Sequence, residues 1–402
     1  MKLTERFINY CKIPTNSNPN SHTTPSSDKQ FVLANLLLKE LHELGVNDAF
    51  IDENAIVYGH IPSNSNNKMK IGFIAHMDTS PDMNDEGCKP AIIKNYDGKD
   101  IILNKELNIV LSPKQFPCLT KDIGSDLIVT DGTTLLGCDD KGGIAEIMTM
   151  VEYLYTHPEY KHCNISIAFT PDEEIGEGAD HFDTKIFDAD IAYTVDGGEI
   201  SDVDFENFNA ASAKVKVNGL SIHPGEAKNK MINALLVAME FNALLPEKDR
   251  PVNTDGYEGF NHITDMNGEV ETAYINYIIR NHDRAKLEKQ KNDFRKAAQI
   301  INEKYGENTI ELEIIDSYRN MREIIEQRME VVEKAKEALK GLGVNVKSSP
   351  IRGGTDGASI TYMGLPCPNL GTGGRNFHGK YEYANIQEME TMVKAIIKIV
   401  EA

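Results

Sequence analysis

Five short stretches bring carboxylates and imidazoles to the ends of apolar runs: "IAHMDT" with His76 and Asp78, "GCDDKGG" with Asp139 and Asp140, "PDEEIG" with Glu173 and Glu174, "VDGGE" with Asp196, and "FHGKYE" with His378. Two imidazoles and several carboxylates are the donors that Zn²⁺ or a neighbouring first-row ion takes in a catalytic site, and no thiolates cluster as a structural zinc finger requires. The acid crowding is greatest in "SIAFTPDEEIGEG", where Asp172, Glu173 and Glu174 directly follow an apolar run. Crowded carboxylates raise one another's pKa unless a cation or a shared proton relieves them. Neighbouring side chains diverge along extended backbone, so one of Glu173 and Glu174 can bind metal while the other faces the substrate. A pair of cations would neutralise the cluster, and the spare glutamate would shuttle protons for an activated water. If Ile71 to Ala75 is a strand, His76 and Asp78 point to the same side of it, and the Asp78 carboxylate can accept the second N–H of the imidazole.

The elements that must position these groups alternate along a chain of 402 residues, long enough for two or three domains. A helix from Thr4 to Cys11 precedes a polar loop, and apolar residues at helical spacing from Asp28 to Leu44 end at Gly45. Ala55 to Tyr58, Ile71 to Ala75, Ile165 to Phe169 and Ile191 to Val195 read as strands, and Ile144 to Tyr155 as a helix. That alternation predicts an α/β domain with a central mixed, largely parallel sheet flanked by helices. The pattern changes after Asp202. Ala210 to Gly219 alternates with period two, a helix follows from Asn229 to Leu245, and a hairpin is expected to turn at Asn267-Gly268. A helix from Asp283 to Tyr305 and a strand from Thr309 to Ile315 complete the order strand, helix, two strands, helix, strand, which is a ferredoxin-like α+β unit. The first pattern resumes with a helix from Asn320 to Leu342 and a last one from Ile386 to Glu401. The expected organisation is a catalytic domain in two parts, 1–205 and 319–402, around an inserted domain at 206–318.

A formal net charge of −20 argues against nucleic acid or an anionic membrane as partner, because both demand basic patches. A small partner fits better. The opening "MKLTERFINYCKIP" has no signal-peptide character, and no run reaches the roughly 20 apolar residues of a membrane span. A soluble, cytoplasmic protein is the expectation, with its six cysteines reduced because none forms a C-x-x-C pair.

Together with "RGGTDGA", the five motifs in this order, split around an inserted ferredoxin-like domain, resemble the M20 metallopeptidases over essentially the whole chain, and most nearly their tripeptide aminopeptidase branch. The resemblance implies two zinc ions per subunit bridged by Asp139. His76 and Asp196 would complete one, and Glu174 and His378 the other. It also implies Glu173 as general acid/base, Asp78 as the holder of His76, and a tripeptide substrate with a free N-terminal amine. In the inserted domain, "GLSIHPGEAKNK" resembles the family segment whose histidine, here His223, helps stabilise the oxyanion, from the same or the partner subunit. Arg280 and Arg352 are candidates for the peptide's C-terminal carboxylate or backbone carbonyls, since guanidinium grips carboxylate bidentately. The inserted domain serves as a lid in some family members and for homodimerisation in others. Two alternatives stay open: another M20-type hydrolase, acting as N-acyl amino acid deacylase or carboxypeptidase, and a non-catalytic metal-binding homologue.

Overall fold

The computed structural model describes residues 1–402, which divide into two compact units: 1–205 with 321–349 and 355–402, and 206–320 with 350–354. The first unit is built on a seven-stranded mixed sheet. Its order is Phe50–Ile51, Val57–Ile61, Asn164–Thr170, Lys70–His76, Ile191–Gly197, Asn369–Gly371 and Val203–Asp204. The four middle strands are mutually parallel, and the outer pairings are antiparallel. Lys70–His76 and Asn164–Thr170 are buried along almost their whole length, as expected when both faces of a parallel sheet are covered. Register then brings the chemistry together. His76 pairs with Thr170, and Ile74 with Thr194, so His76, the 171–174 turn and Asp196 all emerge at the carboxyl ends of adjacent strands, where open α/β sheets bind ligands.

The helix Cys138–Thr156 carries Asp139 to this edge. Gly143 lets it approach the sheet, because a Cβ there would collide with the carbonyl oxygen of Val195, one residue before Asp196. Backbone dihedrals leave helical values at Asp139 and Asp140, which turns the Asp139 carboxylate out of the helix start. A second, antiparallel sheet orders Gly374–Arg375, Tyr383–Asn385, Leu127–Val129 and Ala91–Ile93, and the loop joining its first two strands holds His378.

In the second unit the strands lie in the order Phe260–Gly268, Thr272–Asn281, Asn209–Asn218, Ile310–Asp316, all antiparallel. That is the ferredoxin-like order. The helices Ala234–Leu244 and Arg284–Tyr305 cover one face, closing a core of Val215, Val217, Phe241, Ile275, Ile279, Phe294 and Ile301. The hairpin does not turn at Asn267-Gly268. Both residues stay paired, with Tyr274 and Ala273, and the chain reverses at 269–271. Gly268 is used for close approach instead, since a Cβ there would lie 2.5 Å from the Ala273 Cα. The single helix expected from Asn320 to Leu342 is also two, Arg322–Ile325 and Glu330–Lys340. Residues 350–354 go with the second unit, tied by the Ile351 N–H to the Glu206 carbonyl at 2.9 Å.

Candidate metal centre

His76 ends its strand with only 2% of its side chain exposed. Its Nδ1 lies 3.0 Å from the backbone oxygen of Asp78 and 3.3 Å from that residue's Oδ1, which directs Nε2 to the carboxylates. Nε2 is 3.0 Å from Asp139 Oδ1 and 3.4 Å from Asp196 Oδ1. On the other side of Asp139, His378 Nε2 lies 3.4 Å from Oδ2 and 2.9 Å from Glu174 Oε2. Two donor sets result, His76 with Asp139 and Asp196, and Asp139 with Glu174 and His378, each with its ligand atoms within 4.8 Å of one another.

The electrostatics express the same crowding. Burial, reinforced by the Asp139 charge, pushes the Glu174 carboxyl up to about 7. Burial also raises Asp196 to about 7 against the pull of His76. Hydrogen bonds to Asp139 and Glu174 lift the His378 imidazole to about 11. Glu174 Oε1 is buried without a partner. An orphaned acceptor, two imidazoles and three carboxylates in two sets with one shared member fit a pair of divalent first-row cations.

Glu173 belongs to neither set, and its carboxylate makes no hydrogen bond to another residue. Asp78 has a second task that its spacing from His76 does not reveal. Its Oδ1 accepts the backbone N–H of Glu173 at 3.0 Å and its Oδ2 that of Glu174 at 3.1 Å, so this buried residue fixes the imidazole through its backbone oxygen and the acid turn through its carboxylate.

The model of "Peptidase family M20/M25/M40" matches residues 124–402. A Peptidase T of Caldanaerobacter subterraneus subsp. tengcongensis is 54% identical over 401 residues, covering 100% of this chain and 98% of that protein. The chain belongs to peptidase family M20. It is therefore a hydrolase, a metallopeptidase. Two solved structures share the fold of this M20 peptidase: a tripeptidase from Staphylococcus aureus (TM-score 0.79, 20% identity, 99% of this chain and 96% of that one) and a Bacillus subtilis protein described as a dinuclear metal-binding peptidase of the M20 family (TM-score 0.61, 12% identity, 99% and 96%).

The remaining M20 residues singled out from sequence lie in the second unit. His223 is exposed, and its Nδ1 accepts the Gly225 N–H at 3.2 Å, which leaves the proton on Nε2, free to donate. Arg280 spends Nη1 on the carbonyls of Ala211 (3.2 Å) and Ile279 (3.1 Å), with its guanidinium 5.2 Å from the Tyr318 ring centre. Its Nε and Nη2 have no partner. Arg352 is differently placed. Its Nη1 donates to the carbonyls of Gly256 (2.7 Å) and Glu258 (2.9 Å), its Nη2 to Thr254 Oγ1 (3.1 Å), and its guanidinium lies against the rings of Phe208 and Phe260.

Sequence reasoning named Asp172 only as part of the acid crowding and gave no role to Asp356 or Glu382. Asp172, at a positive φ of 56°, accepts from Ser26 N–H (2.6 Å), Ser26 Oγ (2.5 Å) and Gln30 Nε2 (2.6 Å), anchoring the acid turn to the polar loop and the helix Gln30–Leu44. Asp356, inside "RGGTDGA", accepts from Thr170 Oγ1 at 2.9 Å. Glu382 closes "FHGKYE". Its spacing of four from His378 was the available signal.

Proposed function

We propose that this M20 peptidase is a dinuclear zinc aminopeptidase that releases the N-terminal residue of tripeptides. The observation that carries the reading is the pair of donor sets sharing Asp139, with the unengaged Glu173 carboxylate beside them. His76, Asp139 and Asp196 would hold one cation, and Asp139, Glu174 and His378 the other. Bound there, the cations supply Lewis acidity, lowering the pKa of water and polarising the scissile carbonyl. Glu173 takes one proton from the attacking water as its oxygen bonds to the carbonyl carbon, then delivers that proton to the amide nitrogen as the C–N bond breaks. The water's other proton leaves when the product acid ionises. Asp78 keeps Glu173 in place through the backbone, so the base does not drift while its side chain changes protonation state.

The second unit supplies substrate contacts in this reading. His223 donates from Nε2 to the developing oxyanion, in cis or from a partner subunit. Arg280 offers Nε and Nη2 as a two-donor fork to the C-terminal carboxylate. Arg352, whose Nη1 and Nη2 are engaged by the 254–258 loop, is the weaker substrate contact of the two and shapes the domain around it. The tripeptide preference is supported by the 54% identity to a protein named Peptidase T.

The test is product analysis by mass spectrometry on one tripeptide in free, N-acetylated and C-amidated forms, with chelator-treated and zinc-restored protein. Zinc-dependent loss of the N-terminal residue from the free form, leaving a persistent dipeptide, is the expected result. Cleavage of the acetylated form would replace the reading with a deacylase or carboxypeptidase. With Arg280→Ala, the KM advantage of the free over the amidated peptide should disappear.

A homodimer through the inserted domain is part of the same proposal. The helix Ala234–Leu244 is apolar nearly all round, yet Leu236 and Met239 are 62% and 58% exposed, one turn apart, where a second copy would cover them. Leu236→Glu with Met239→Glu should halve the molar mass measured by light scattering. A monomeric mass for the unsubstituted protein would end the idea.

A further inference from the structure

We infer that Glu382 is a positioning residue of the metal centre: from the loop that carries His378, its carboxylate holds the Asp139 turn, so one side chain sets the shared ligand and the second imidazole relative to each other. This rests on the dinuclear reading above. Glu382 is 1% exposed. Its Oε2 accepts the backbone N–H groups of Leu136 (2.9 Å) and Gly137 (2.8 Å), and its Oε1 accepts that of Asp139 (3.1 Å). These amides open the helix Cys138–Thr156, whose N-cap, Gly137, has no side chain to satisfy them. Helix starts leave such donors unpaired, and a buried unpaired amide is costly, so the carboxylate of a residue more than 240 positions away takes the place of a local cap.

The consequence for Asp139 is specific. With its dihedrals at φ −85° and ψ 101°, it stands outside the helical ladder, so the Glu382 contact to its own N–H is what orients the short side chain whose two oxygens face His76 and His378. Glu382 itself is in neither donor set. It lies between His378, at a positive φ of 61°, and the strand Tyr383–Asn385, so the loop is pinned at one end by sheet pairing and at the other by the Asp139 turn. Displacing that pin moves two ligand-bearing segments at once.

Glu382→Gln tests this. An amide whose oxygen faces Leu136 and Gly137 turns its NH₂ group on the Asp139 N–H, so one contact must be lost. Zinc affinity should fall about 10- to 100-fold, the range seen when groups supporting a ligand are removed. The absorption spectrum of the Co²⁺-substituted protein should change, and in metal-free protein the Asp139 amide should exchange hydrogen faster. Glu40→Gln is the structural control. It alters a largely buried carboxylate that accepts from Arg6 Nε (2.7 Å) and Tyr10 Oη (2.5 Å), on helices that carry no proposed ligand. It should lower Tm yet leave the Co²⁺ spectrum unchanged. Should Glu382→Gln fail to fold, Glu382→Asp, with the charge kept and the reach shortened, should show the same shifts more weakly. Unchanged affinity and spectrum in whichever variant folds would overturn the positioning role. Failure of the parent reading looks different: the unsubstituted protein would bind no pair of cations, which overturns both.

Discussion

Glu173→Ala should keep both cations and lose nearly all turnover. The Glu173 carboxylate is outside both donor sets and bonds to no other residue, while the segment it sits on is held through its backbone N–H by Asp78. Truncating the side chain therefore removes the proposed proton carrier without disturbing the groups that would bind metal. A positioned general acid/base is worth about 10²- to 10⁴-fold, so kcat should fall by that factor with KM little changed. Two cations per chain should still be counted by elemental analysis. Loss of a cation in this variant would put Glu173 into the coordination shell and reassign the proton transfer to another group.

Much of the centre is legible because its parts are local. Imidazole and carboxylates sit within four residues of strand ends, and a strand end is announced by an apolar run meeting Pro, Gly or a charge. His76 with Asp78, the acid turn at 172–174 and Asp196 are of this kind. The alternation of elements predicts a largely parallel sheet but not its strand order, and it is the order, with His76 paired to Thr170 and Ile74 to Thr194, that makes them neighbours.

What stayed hidden depends on partners far away in the chain. The motif spacing gives Asp78 one task, whereas its carboxylate also binds amides 95 and 96 residues later. The sequence offers Arg352 as a carboxylate ligand and says nothing of the main-chain carbonyls and the hydroxyl, nearly a hundred residues earlier, to which its Nη1 and Nη2 donate. Asn267-Gly268 carries the composition of a tight turn, and only the ladder reveals that the glycine is there to admit the neighbouring strand. In each case the residue type states a capability, and tertiary structure decides whether it is spent on the fold or left for chemistry.

Asp139→Ala should abolish both cation sites, an outcome no other single ligand change should produce. Oδ1 of Asp139 faces the His76 imidazole and Oδ2 faces that of His378, so its carboxylate is the one member common to the two sets. His378→Ala removes a ligand from only one set and leaves His76, Asp139 and Asp196 together. It should therefore retain about one cation per chain after gel filtration, where Asp139→Ala retains almost none. Losing the Lewis acid at both positions forfeits several kcal/mol of transition-state stabilisation, on the order of 10³-fold or more in kcat/KM at about 1.4 kcal/mol per tenfold. Calorimetric zinc titration of the two variants beside the unsubstituted protein separates the cases. Two cations surviving in Asp139→Ala would refute the shared ligand. Equal and complete loss in His378→Ala would mean that the sets bind only as one cooperative unit, with neither able to hold its ion alone.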